Sequence, residues 1–211
     1  MVRKTKEEAL VTRGRILDAA ERLFHEHGVS GTSLHHIAQA AGVTRGAVYW
    51  HFQDKGDLFN AMMDRIVLPM EEESDSRLGR PDDPTPLLSL RDHLLDVLRS
   101  LASDDRVRRV FEIATHKVEY VGELDAVRVR HLQARDNYVA LTEAALRSAQ
   151  RLGQVPRQPS ARQLALGFHA LIKGLIQDWT LTPERFDLMA VGRSAIDAYL
   201  RGVAAPRAPA A

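Results

Sequence analysis

Residues 32–55 read Thr-Ser-Leu-His-His-Ile-Ala-Gln-Ala-Ala-Gly-Val-Thr-Arg-Gly-Ala-Val-Tyr-Trp-His-Phe-Gln-Asp-Lys. The pattern predicts two short helices joined by a tight turn, with a further helix start behind them. Thr32 or Ser33 caps the first, because a hydroxyl accepts a backbone N–H that a helix start leaves unpaired. Leu34, Ile37, Ala38 and Ala41 recur at three-to-four spacing and make a one-sided apolar stripe. Gly42 stands where a left-handed helix end is wanted. Thr44 is a second cap, and the next helix, about 45–51, turns Ala47, Val48 and Phe52 inward. Arg45, Gly46, Tyr49 and His51 are left outside. Helix, glycine turn, short helix is the helix-turn-helix arrangement, whose second helix enters the DNA major groove.

Helix–glycine–helix also occurs in ordinary bundles, and the first helix must serve partly as packing. The second is less easily structural. It spends Arg45, Tyr49, Trp50 and His51 on about two turns, and Gly46 lets its backbone approach a surface closely.

The run Val43 to Phe52, followed by Asp54-Lys55 and Asp57-Leu58, resembles the DNA-binding signature of TetR-family repressors, and most of all the AcrR-type branch that regulates multidrug efflux pumps. Residues Arg3 to Ala9, Thr12-Arg13, Ile16 to Ala20, Gly28-Val29 and His116 to Tyr120 are similar to that branch too. Beyond Phe59 the similarity is sparser: Gly174-Leu175-Ile176, Trp179 and Phe186-Asp187-Leu188. The resemblance implies operator DNA as partner, with Arg3, Thr32, Ser33, Thr44, Arg45, Gly46, Tyr49, Trp50, His51 and Lys55 at the interface. It also implies a homodimer and a hydrophobic, drug-like inducer.

The 211 residues are 45% hydrophobic and carry a net charge of +1. That supports a substantial core without a polybasic field. Residues 1–55 hold eight Lys/Arg against six Asp/Glu, and five of the nine histidines; the remainder holds 21 against 22. The footprint is modest for a nucleic-acid binder, and dimerisation would double it. With no cysteine, thiolate metal sites, disulfides and a catalytic thiol are excluded. No apolar run approaches the roughly 18 residues of a membrane span. The charged N-terminus lacks an apolar signal core. A cytoplasmic protein with no membrane partner is the expectation.

Periodicity predicts an all-α fold of about nine helices. An N-terminal three-helix helix-turn-helix domain (1–55) precedes a helical ligand-binding and dimerisation domain (56–203) and a disordered Ala/Pro-rich tail (204–211). Residues 1–6 read as a solvated terminus or as an arm reaching DNA phosphates. The first long helix, about 8–27, carries Leu10, Ile16, Leu17, Ala20, Leu23 and Phe24. Asp54 caps a fourth helix in which Lys55 opposes the dipole preference, which suits a phosphate contact. Pro69 falls inside that helix and requires either a kink near Arg65 or a new segment from Met70. A loop follows at 74–84. Further helices start at Thr85-Pro86, Ser103-Asp104, about Leu124, the capping box Ser160 to Gln163, and Thr182-Pro183.

Two stripes near the C-terminus, Leu164, Phe168, Leu171, Leu175 and Trp179, then Phe186, Val191, Ala195, Ala198 and Tyr199, are either core or a dimer face. A single short reading helix has little specificity; a twofold pair reads half-sites roughly 34–36 Å apart. Function therefore asks for a dimer, which the family builds from these helices. Ile66, Met70, Leu94, Val97, Phe111, Tyr138, Ile172 and Ile176, with His116, Asn137, His169 and Asp178 as polar contacts, make a candidate apolar ligand cavity. Sensor cavities of the resembled branch are lined where this chain has Phe111, Thr115, Tyr138 and His169. Glu112, His116, Glu119 and Glu123 have the spacing of a metal-binding helix face, but the second Glu-x-x-His motif of a di-metal bundle is missing. A salt-bridged face involving Lys117 and Arg109 is the alternative. No cofactor is expected, and no phosphate loop or nucleophile elbow points to an enzyme. A metal- or metabolite-responsive regulator unconnected with efflux is the rival function.

Overall fold

The structure, a computed structural model, describes residues 2–120 and 122–205, and among these the side chains of residues 2–5 and 123 are not described. The described residues form nine α-helices and no strand: α1 (Val2–His27), α2 (Leu34–Ala41), α3 (Arg45–His51), α4 (Lys55–Arg77), α5 (Pro86–Ser103), α6 (Asp105–His116), α7 (Asp125–Arg151), α8 (Ala161–Leu181) and α9 (Leu188–Val203). The all-α expectation holds. By packing, the chain forms two units, 1–68 with 106–132, and 69–105 with 133–211.

Several boundaries differ from the sequence reading. α1 begins at Val2 rather than near Glu8, so the supposed basic arm is helical backbone. Pro69 does not start a new segment: α4 continues through it to Arg77, taking in residues expected to be loop. Thr182-Pro183-Glu184 open a 3-10 turn, Pro183–Arg185, and α9 starts afterwards on an Asp187 cap. Of the expected tail, the Ala205 N–H donates to the Gln154 carbonyl at 2.8 Å, and residues 206–211 lie outside the described residues.

The first unit is built on Ile16, Leu17, Ala20 and Phe24 of α1, which meet Ile37 and Ala38 of α2, Val48 and Phe52 around α3, Leu58, Phe59 and Met62 of α4, and Ile113 of α6. Leu10, expected in that stripe, is instead exposed. Each fully buried phenylalanine contributes about 1.5–3 kcal/mol. Charge then fixes α1 against α4 and α6. Glu21, 4% exposed, accepts from Arg106 at 3.0 Å and from Arg109 at 3.1 Å, and Asp18 accepts from Arg65 at 2.8 Å and Arg106 at 2.9 Å.

The metal-like spacing resolves the same way. α6 ends at His116, so Glu119 is not on that helix face. Glu112 is engaged by His25 at 3.0 Å and by the Lys117 ammonium at 2.9 Å. Arg109 pairs with Glu21 instead. Among the described residues no group of three or more His, Cys, Asp or Glu is placed to hold a metal.

In the second unit α5 lies against α9, with Leu90, Leu94, Leu98, Ile196 and Leu200 buried. Arg91 grips Asp197 through two nitrogens, at 2.6 and 3.3 Å. Gly192 sits where α9 crosses α5, and a Cβ there would overlap the Leu98 side chain.

Two outcomes follow. Gly192→Ala overpacks this crossing and lowers stability by about 1–3 kcal/mol, read as a fall in melting temperature. Burial alone would raise the Glu112 carboxyl, but Lys117 and His25 outweigh it and hold the carboxyl below its ordinary 4.5. A depressed acid contributes stability above its unfolded value and loses it as pH falls through the folded one. Glu112→Gln is therefore less stable than wild type at pH 7, and the gap closes below pH 4.5 in pH-dependent melts.

Candidate nucleic-acid interface

Ser33 caps α2, its hydroxyl accepting the His36 N–H at 3.2 Å. The helix ends on Gly42 at φ 64°, a left-handed conformation that strains any residue with a Cβ. The Gly42 N–H donates to the Gln39 carbonyl at 3.0 Å and the Val43 N–H to the Ala38 carbonyl at 3.0 Å, the paired bonds of a Schellman turn. Arg15 of α1 holds this end by donating to the Ala41 carbonyl at 2.6 Å. Thr44 follows at once as the cap of α3, accepting the Ala47 N–H at 3.1 Å.

α3 buries Val48 completely, and Phe52 beyond its end is 2% exposed with the Arg13 guanidinium 5.2 Å from its ring centroid. The opposite side stays open: Tyr49 is 47% exposed and Trp50 72%. Arg45 lies over the Tyr49 ring at 5.3 Å and donates to its hydroxyl at 3.2 Å. Trp50 meets His51 edge-on at 4.5 Å. Partial burial, and then Arg13, push the His51 pKa below 6.5, so its imidazole is neutral at pH 7 and offers one donor and one acceptor.

The start of α4 faces the same way. Asp54 accepts the Asp57 N–H at 2.8 Å, and Asp57 accepts the Gln53 N–H at 3.0 Å. Lys55 donates to the Thr32 carbonyl at 3.3 Å. Residues 30–35, Arg45, Tyr49 and Lys55 thus line one open concavity of about 450 Å³. Two cations and the N-terminus of an eight-residue helix converge there, a chemistry suited to a phosphate beside the reading helix.

Ser33, Thr44, Arg45, Gly46, Tyr49, Trp50, His51 and Lys55 thus sit in one stretch of surface or in its caps. Thr32 does not present its side chain: it is 2% exposed, and its hydroxyl donates to the Leu23 and Gly28 carbonyls at 3.2 and 2.8 Å. The side chain of Arg3 lies outside the described residues. Sequence reasoning missed His35, which lines the concavity, and Arg13 and Arg15, which brace it from α1. His35 was signalled by its place one residue after the Leu34 helix start; the two arginines had no local signal.

The proposed cavity residues divide between the units. Ile66, Phe111 and His116 belong to the first, and Met70, Val97, Tyr138, His169, Ile172 and Ile176 to the second. Within the second, the Tyr138 and His169 rings lie 5.8 Å apart and Ile172 is buried. Asn137, expected as a polar contact of the cavity, is exposed on α7.

The dimer stripe also needs correction. Leu164, Phe168 and Trp179 are buried within the chain's own second unit. Tyr199 stacks on Phe168 at 4.7 Å and donates to the Leu164 carbonyl at 2.6 Å. Leu171, Leu175 and Ala195 are half-buried, and Val191 is exposed. The outward faces carry Leu166, Ala170 and Gly174 on α8, and Val191, Ser194 and Ala198 on α9.

Residues 16–62 match the bacterial regulatory proteins of the tetR family, and residues 85–204 match the C-terminal region of MAATS-type transcriptional repressors. The chain belongs to the TetR family and is a transcriptional repressor that acts through a DNA-binding helix-turn-helix. The HTH-type transcriptional regulator AcrR of Shigella flexneri is 41% identical over 198 residues, 92% of this chain and 89% of that protein. The structure of NalD, the secondary repressor of the MexAB-OprM multidrug efflux pump in Pseudomonas aeruginosa, superposes with a TM-score of 0.86 at 38% identity, over 94% of this chain and 98% of that one. A SmeT–triclosan complex follows at 0.83 and 32%, over 93% of each chain. SmeT is the repressor of the Stenotrophomonas maltophilia pump SmeDEF.

Stability and recognition separate cleanly here. Ser33→Ala and Thr44→Ala each remove a cap and cost about 1 kcal/mol in denaturant melts. Tyr49→Ala changes stability by no more than about 0.5 kcal/mol, as exposed substitutions do, yet removes operator binding in a mobility-shift assay.

Proposed function

We propose that the protein acts in the cytoplasm as a homodimer on a palindromic operator, represses a multidrug efflux pump operon, and leaves the DNA when a hydrophobic, drug-like inducer binds. The carrying observation is the surface of α3: Arg45, Tyr49 and Trp50 stand outward on a helix whose caps and buried side hold them in fixed register. Similarity to NalD and SmeT, both repressors of efflux pumps, supports the operon, and the SmeT–triclosan complex supports the class of inducer. Among the described residues no helix is long and apolar enough to cross a membrane.

The dimer pairs the outward faces of α8 and α9, around Leu166, Ala170, Gly174, Val191 and Ala198, where small side chains permit close approach. It presents two α3 helices at half-sites roughly 34–36 Å apart. Met70, Val97, Tyr138, His169, Ile172 and Ile176, all of the second unit, supply the ligand contacts. Inducer favours a body conformation that changes the spacing of the heads, and a coupling of about 1–3 kcal/mol weakens operator binding roughly 5- to 150-fold.

The test is a mobility shift on the duplex upstream of the protein's own gene. Affinity falls steeply with salt, because each phosphate contact releases counterions. Triclosan releases the complex. A monomer indifferent to that duplex would overturn the operator reading; a dimer that binds DNA but responds to no apolar compound would overturn the sensor reading.

A further inference from the structure

Tyr138 and Thr142 lie one turn apart on the same side of α7, in the second unit. Tyr138 as a whole is half-buried, but its hydroxyl oxygen is shut off from solvent and has no hydrogen-bond partner. Thr142 is 0% exposed, and its hydroxyl is equally orphaned. Its position even allows a bond back to the carbonyl one turn before, the usual recourse of a helical threonine, and the bond is not made. The Thr142 hydroxyl lies near enough to influence the phenol, although the two do not meet hydrogen-bond geometry. Beside them stands the His169 ring, 5.8 Å from that of Tyr138.

Buried polar groups are nearly always paired, so two adjacent unpaired hydroxyls are an exception that requires a cause. Phenylalanine and valine would fill the same volumes without the polar atoms, and burying these atoms unpaired is costly. Burial moreover pushes the Tyr138 phenol far up, so it stays protonated and able to donate at any physiological pH. The geometry points to a hydrogen-bonding anchor: Tyr138 and Thr142 pair with a hydroxyl or similar polar group of an otherwise apolar inducer, which repairs the two orphans on binding. This rests on the sensor reading above and narrows it, because ligands are then ranked by their hydrogen-bonding group as well as by their apolar surface.

The probes are triclosan, a chlorinated phenol, and its O-methyl ether, of nearly the same shape but without the donor. Affinities and melting temperatures are measured on the full-length protein, with Tyr138→Phe and Thr142→Val as variants. Removing either orphan raises the ligand-free melting temperature by roughly 2–4 °C. Wild type binds triclosan more tightly than the ether, and each variant loses roughly 3- to 10-fold in triclosan affinity with the ether unchanged. Equal binding of both probes by wild type and variants would overturn the anchor while leaving the sensor standing. A fall in ligand-free melting temperature in both variants would overturn it too, since the hydroxyls would then be satisfied by internal water. Binding of neither probe to wild type also overturns it, and release of the operator by an apolar compound without a donor then shows whether the broader sensor reading survives.

Discussion

A helix of seven residues cannot hold itself together. Isolated helices shorter than about 12–15 residues are marginal in water, because nucleation costs more than a few backbone bonds return. α3 is such a helix, and the exposed Tyr49 and Trp50, with Arg45, stand on it. Its order is borrowed. Thr44 closes one end, the Gly42 turn fixes the approach, and Val48 and Phe52 are sunk in the core of the first unit. Burial on one side of α3 is what holds Arg45, Tyr49 and Trp50 outward on the other.

Much of that order comes from α1, whose charged residues act as a brace. Arg13 covers Phe52, Arg15 takes the last carbonyl of α2, Asp18 and Glu21 collect Arg65, Arg106 and Arg109, and His25 meets Glu112. These contacts recur every few residues along one helix and together reach α2, the end of α3, α4 and α6. A buried ion pair adds little net stability, because desolvation offsets most of the attraction. Losing one member is another matter, since the remaining buried charge is left uncompensated. The cluster around Glu21 therefore specifies the α1–α6 arrangement more than it strengthens it.

This explains what was legible in the sequence. Ser33, Gly42, Thr44 and Asp54 announce themselves because caps and turns are local chemistry, settled within four residues. The open face of α3 follows from them, as does the all-α class. Long-range partners leave no such trace: nothing near Glu21 says that it is buried, and Thr32 looks like a free cap until its hydroxyl is found bonded to Leu23 and Gly28. In α8 and α9 periodicity identified apolar stripes but not what covers them. The bulkiest side chains, Phe168 and Trp179, go to the chain's own core, where they remove most area from water. Smaller residues such as Ala170 and Gly174 are left facing outward, and a hydrophobicity pattern gives them little weight. Pro69 misled for a related reason: the exposed side of a helix tolerates a missing bond better than its interior does.

The two units also differ in how they treat buried polar atoms. In the first, the Thr32 hydroxyl is satisfied twice over, and the Glu21 carboxylate is held by two guanidinium groups. In the second, His93 Nδ1, the Tyr138 hydroxyl and the Thr142 hydroxyl lack hydrogen bonds. Fully satisfied networks rigidify the arrangement that satisfies them, whereas partly satisfied ones leave energy to be gained by a different arrangement. A reading head tolerates no second arrangement, because base-edge hydrogen bonds fail over small displacements. A body that answers a ligand, as proposed above, needs one, and the unpaired Tyr138 and Thr142 hydroxyls lie in the unit to which that proposal assigns the ligand.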